Sequence, residues 1–342
     1  MRTFLIKTLF YFIPFCCVYG GYVIMSRSFA GDIGLLMQMP FKHYDQYAGY
    51  SHKDRLPEEY IIKYTHVMSY DKLPVDDTLK ILNIGDSFSA VGTFSYQNYL
   101  AYFLGNRITN IAYKPGNNHL NIAISLLNSG IIDSVNCRVA ILQIVGRETI
   151  WKLCDIDFNL LYEIPNVAKN YFEGQKFIPG LYNFCSFIRL RLNYDNPVYK
   201  RELKKAYFTH PFFSQKLYHY SWDMEFVKQS NVEIETAHEN LIRLHRHFAN
   251  KGIKMIFLIA ADKYDVYRPF MKDNSLPVDT TTDGFSKIPD VCVIDTKPLL
   301  QDMVQNGEKD VYMLHDSHWS YKGSAAVARE IIRHLDIQNV SD

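Results

Sequence analysis

Net charge is nearly absent from this chain: 37 Lys and Arg stand against 36 Asp and Glu, leaving +1 over 342 residues. No global field therefore draws it to nucleic acid or to an acidic partner. Metal-ligand spacing is lacking too. The six Cys include no CxxC pair and no Cys/His cluster with zinc spacing, so neither a metal nor another cofactor is expected. Internal repeats and low-complexity tracts are missing. With 48% hydrophobic and 21% charged residues, the composition excludes a disordered, collagenous or polytopic-membrane chain.

Only one long apolar run is present. Arg2 and Lys7 precede an uncharged stretch from Thr8 to Met25, close to the roughly twenty residues that span a bilayer. Residues 1–25 read as a signal anchor or a signal peptide. Pro14 alone would not stop the run spanning, and a small-x-small cleavage site is available at Ser28-Phe29-Ala30. The positive flank keeps the N-terminus in the cytoplasm and sends the rest out. An exported, periplasmic or extracytoplasmic protein, held to the inner membrane by this helix, is the expectation.

What the chain has in excess is aromatic side chains, 25 Tyr and 22 Phe. Such rings fill cores and also suit sugar rings. Cys137 and Cys292 lie in or beside apolar runs and read as buried thiols, with a disulfide among Cys137, Cys154, Cys185 and Cys292 left open.

Residues 26–77 show no sustained period and read as a linker and lead-in segment. From there the pattern predicts strands at 79–84, 107–112, 139–145, 254–260 and 291–294. Helices are predicted at 93–104, 120–127, 232–250 and 324–335. Alternating strands and helices predict an α/β domain over 78–338: a three-layer α/β/α sandwich on a parallel, flavodoxin-like sheet. Function then sits at the carboxyl ends of the strands. Between 151 and 231 the alternation is lost. This aromatic-rich insertion is expected to be helical and to lie over the sheet near the end of the third strand.

Two segments carry chemistry. In Ile81-Leu82-Asn83-Ile84-Gly85-Asp86-Ser87-Phe88 a buried strand ends in Gly-Asp-Ser before a helix. Unpaired N–H groups at a helix start can stabilise an oxyanion, although Asp and Ser there also serve as caps. The second segment is His315-Asp316-Ser317-His318-Trp319, just before the last helix. A serine hydroxyl needs a neighbouring base, and an Asp two residues before a His can orient that base. Ser87 is thus the candidate nucleophile, His318 its base and Asp316 the orienting carboxylate.

Together these blocks resemble the SGNH/GDSL hydrolase superfamily. The Asp316-Ser317-His318-Trp319 sequence with Gly323 is similar to the alginate O-acetyltransferase-type SGNH proteins. Gly146-Arg147-Glu148 and Ala261-Asp262-Lys263-Tyr264 with Tyr267 are weaker matches to that subgroup. The resemblance implies O-acetyl transfer to an exported or cell-envelope polysaccharide through a serine acyl-enzyme, with a membrane-bound acyl-carrying partner. A carbohydrate esterase with the same triad and a non-catalytic, membrane-tethered glycan-binding protein are the alternatives. For the oxyanion and substrate, the resemblance implies Gly116, while Asn117, Asn118 and Arg147 stand in for an Asn block that is missing here. Arg147 either donates to the substrate or pairs with a carboxylate. Trp319 either stacks on a sugar or packs beneath the loop, and Lys263 either contacts an anionic sugar or pairs locally. In several alginate-type proteins the Asp-x-His block precedes the Ser block; here it follows, as in the wider superfamily.

Overall fold

The computed structural model describes residues 8, 12–20, 65–67, 81–89, 95–105, 108–112, 118–134, 136–161, 198–209, 213–314 and 316–335. The anchor and cleavage readings fall largely outside these. Residues 12–20 are helical, and among the described residues no helix is long and apolar enough to cross a membrane.

The elements run β1 (Thr65–Val67), β2 (Ile81–Gly85), α1 (Tyr96–Leu104), β3 (Thr109–Ala112), α2 (His119–Asn128), α3 (Ile131–Ser134), β4 (Val139–Val145) and α4 (Thr149–Cys154). A hairpin of β5 (Val198–Glu202) and β6 (Lys216–Tyr220) follows. Then come α5 (Asn231–Ala249), β7 (Lys254–Ala260), α6 (Lys263–Tyr267), β8 (Cys292–Asp295), α7 (Thr296–Gln305) and α8 (Tyr321–His334).

Six strands pair in parallel in the order β1-β3-β2-β4-β7-β8. Without β1 this is the flavodoxin-like order, whose direction reverses between β2 and β4, and ligands bind in the crevice beyond that reversal. Strand side chains alternate between two cores. Ile81, Val139, Ile141, Ile256 and Leu258 face the layer of α1, α7 and α8. Leu82, Ile84, Leu142, Ile144, Phe257 and Ile259 face α2, α4 and α5. The predicted three layers are thus present.

Local signals explain the element ends. Helix α5 buries Ala237, Leu241, Leu244 and Phe248 along one stripe, and Ser230 with Glu233 closes its start as a capping box. Helix α1 stops at Gly105 in the left-handed region, φ +64°.

Three expectations change. The lead-in segment contributes β1 at the sheet edge. The described part of the insertion holds the antiparallel β5–β6 pair, where a helical segment was expected. Only β6 is well buried, so the apolar alternation on β5 is faint. Helix α7, absent from the sequence reading, starts directly at the end of β8, capped by Asp295 accepting from Lys297 N.

Candidate active site

Ser87 opens a helical turn at the carboxyl end of β2, at the reversal point of the sheet. Asp86 fixes that turn. Its carboxylate accepts from Val145 N (2.7 Å), Phe88 N (3.0 Å) and Gln143 Nε2 (2.8 Å). Beneath lies a fully buried amide network. Gln143 Oε1 accepts from Asp86 N (3.1 Å) and Ser89 Oγ (2.8 Å), while Asn83 Nδ2 donates to Ser89 Oγ (3.1 Å) and Asn110 Oδ1 (2.6 Å). Tyr96 and Gln97 close it from α1, donating to Asn83 and to the Ser89 carbonyl. Gly85 is required by this crowding: a Cβ there would meet Ser89 Oγ at 2.1 Å and Gln143 Oε1 at 2.6 Å.

The second segment comes from the loop before α8. Asp316 accepts His318 N at 2.9 Å, an Asx-type turn that a two-residue spacing allows. The same oxygen, Oδ1, lies 2.5 Å from His318 Nδ1, and His318 Nε2 lies 2.8 Å from Ser87 Oγ. Asp316 is 1% exposed and Ser87 is exposed. Burial alone would push the Asp316 carboxyl up. The charge of His318, its two hydrogen bonds and Lys263 outweigh that and hold it below the usual carboxylate range. An ionised carboxylate only accepts, so Nδ1 carries the hydrogen, and in the neutral ring Nε2 turns a lone pair to the Ser87 hydroxyl. The three residues read from the two segments are therefore in one hydrogen-bonded line.

Phe88, which the sequence reading passed over, packs its ring 4.7 Å from both His318 and Trp319. Its signal was only its place after the serine. Gly323 lets the loop close on α8, because a Cβ there would meet the Val311 carbonyl at 2.6 Å and Trp319 Cβ at 3.1 Å.

The remaining candidates separate. Trp319 is 1% exposed, and Nε1 donates to Tyr312 OH (2.9 Å), which donates to the Ala261 carbonyl (2.6 Å). It packs beneath the loop, so the sugar-stacking reading is corrected. Arg147 is paired with carboxylates: its guanidinium bonds Asp262 and lies 3.5 Å from Asp223, and its N–H donates to Asp262 Oδ2 (2.8 Å). Burial works against its charge, and the two acids raise it regardless. Burial lifts the acids too, Asp262 to about 6 and Asp223 to about 7, against the pull of Arg147. Asp223 follows the hairpin, so this pair ties the insertion to the end of β4.

Asn118 is spent on capping: it accepts from Leu120 N (3.1 Å) and donates to the Lys152 carbonyl (2.6 Å). Gly116 and Asn117 lie outside the described residues. Lys263 pairs locally, with backbone carbonyls of the loop. Burial pushes its ammonium down to about 7, with Asp316 and Asp223 opposing. His238 packs on Phe285 and His247 on Phe158. Cys137 is buried, its thiol pushed up to about 12, and no disulfide joins Cys137, Cys154 and Cys292 to one another; Cys185 lies outside the described residues.

Residues 217–341 match a family model described as an SGNH hydrolase-like domain, acetyltransferase AlgX. The resemblance read from the sequence is borne out by that match. It covers β6 to the C-terminus, including Asp262, Lys263, Asp316, His318 and Trp319, and leaves Ser87 and Arg147 outside. No curated protein matches the chain.

Proposed function

We propose that the chain is a serine-dependent O-acetyltransferase acting on an exported or cell-envelope polysaccharide. The carrying observation is the Ser87 Oγ to His318 Nε2 distance of 2.8 Å, with Asp316 behind the ring. A proton-transferring pair needs about 2.6–3.2 Å. The match to an SGNH hydrolase-like domain of an acetyltransferase supports acyl chemistry and, by its name, the transfer reading.

In this reading Ser87 Oγ attacks the acetyl carbonyl while His318 Nε2 takes its proton. The imidazolium, stabilised by Asp316, returns that proton to the leaving group, and an acetyl-enzyme remains. A sugar hydroxyl then loses its proton to Nε2 and attacks the acyl carbon; the bond to Ser87 Oγ breaks, Nε2 returns the proton to that oxygen, and the acetylated sugar leaves. Asp86, Phe88 and Ser89 N–H are held inside the turn, so Ser87 N is its donor for the oxyanion in this reading. Arg147 supports that edge through its ion pairs and not as a free donor. A membrane-bound acyl carrier as donor, and membrane tethering through residues 1–25, belong to the same proposal.

Because Ser87 is exposed, water also reaches an acyl-enzyme there, and an esterase is the second reading. Incubation with p-nitrophenyl acetate, with and without glycan, separates the two. Acetylated glycan is expected with the wild type and is abolished in Ser87→Ala. Acetate release unaffected by glycan would make the enzyme an esterase, and turnover surviving Ser87→Ala would sink the mechanism.

A further inference from the structure

Lys263 is the first residue of α6 and is completely buried. A lysine is almost never fully buried unless paired, yet among the described residues no carboxylate forms an ion pair with it. Its ammonium donates instead to the carbonyls of Met313 (2.7 Å), Leu314 (2.7 Å) and Asp316 (3.1 Å). An ammonium has three donors, and here all three go to one short stretch of backbone. That stretch carries Asp316 and is closed by Met313 N donating to the His318 carbonyl (3.1 Å). Three carbonyls turned to one point repel each other unless a cation sits among them. The Phe208 ring lies 5.4 Å from the ammonium. The titratable groups around it are Asp316 from the loop, and Asp223 and His219 from the hairpin segment.

We infer that Lys263 is a positioning residue for the acyl transfer proposed above. Its ammonium holds the Met313, Leu314 and Asp316 carbonyls so that Asp316 faces the His318 ring, and its charge favours the ionised Asp316. It does this from behind, without touching substrate. The inference rests on the Ser87–His318–Asp316 reading, and the measurement is chosen to separate the two.

The rate of Ser87 labelling by a fluorophosphonate is followed against pH in wild type, Lys263→Met, Lys263→Arg, Asp316→Asn and the Lys263→Met/Asp316→Asn double variant. Lys263→Met is expected to slow labelling by roughly 10²-fold, the scale of an ångström's misplacement. Its acid limb should move to higher pH, because a charge that helps keep Asp316 ionised is gone. Lys263→Arg should recover part of the rate. In the double variant the two losses should not add, since both act through one carboxylate. A wild type that does not label at Ser87 overturns the triad reading and this inference with it. A labelled wild type with an unchanged Lys263→Met rate and pH profile, or with additive losses, overturns the inference alone. Lys263→Gln, which keeps two donors without the charge, replaces Lys263→Met if that variant does not fold. Collapse of both in thermal melts would mark a residue needed for the fold as a whole, and the inference would fall.

Discussion

At the Ser87 turn a carboxylate gathers N–H groups, whereas at the 313–318 loop an ammonium gathers carbonyls. Asp86 holds Phe88 N, Val145 N and the Gln143 amide. Lys263 holds the carbonyls of Met313, Leu314 and Asp316. The first arrangement spends the Asp86, Phe88 and Ser89 N–H groups on fixing the turn. The second turns carbonyls away from the base and brings one carboxylate to it. Two strands' ends could not do both with the same chemistry, because backbone donors and acceptors point in opposite senses. Each segment also has one glycine where neighbouring atoms press close. At Gly85 the obstruction is the ends of side chains, and at Gly323 it is a backbone carbonyl.

The comparison can be broken at several points. The largest effect is expected from His318→Ala, which removes the group joining both halves. Acetyl transfer should drop by about 10²–10⁴-fold, the usual worth of a positioned base, in a variant that still melts cooperatively in a thermal scan. A smaller loss would mean that Ser87 is activated by some other group. Next come the glycines. Gly323→Ala should destabilise by about 1–3 kcal/mol, since overpacking against backbone cannot relax cheaply. Gly85→Ala should cost less, because the obstructing atoms are side-chain ends that can yield, at the loss of hydrogen bonds in the network. Urea unfolding of both variants tests that order, and the reverse order would show that the amide network is the stiffer half.

Gln143→Met addresses the Ser87 side alone. It strips partners from Asp86 N, the Ser89 hydroxyl and Asp86 Oδ1, and an unsatisfied buried group costs about 1–3 kcal/mol. Denaturant melts should show that loss, with the His318–Asp316 contact preserved in its NMR signature. The smallest effect concerns acid. Asp316 titrates below its unfolded value of 3.8. Its contribution to stability is therefore full above that value and is lost as pH falls through the lower, folded one. Asp316→Asn should have a shallower decline of melting temperature below pH 4 than the wild type, and parallel curves would count against the depressed carboxyl.

Much of this was legible beforehand for definite physical reasons. β7 is apolar from Met255 to Ala260 and β4 is interrupted only by Gln143, so their bounds could be read directly. The Ser87 and Asp316/His318 blocks stood out because a buried strand and a terminal helix framed them. Polar residues inside those strands were a different matter. Asn83, Asn110 and Gln143 interrupt apolar runs singly, and their shared network exists only once three strands lie side by side. Arg147 and Trp319 were each open between two roles. Arg147 was decided by Asp262, 115 positions away, with Asp223 beyond the hairpin beside it, and Trp319 by the depth at which the loop packs. Strand β1 is three residues long, too short for any period to declare it.

The hydroxyl of Ser87 meets its imidazole across 231 positions of sequence. During synthesis Ser87 and its strand emerge first, and His318 follows 231 residues later. A ribosome adding about 5–20 residues per second leaves the serine without that partner for roughly 10–50 seconds. In the reading proposed above, the pair is made only when the segment before α8 docks, long after β2 and its turn are available to fold.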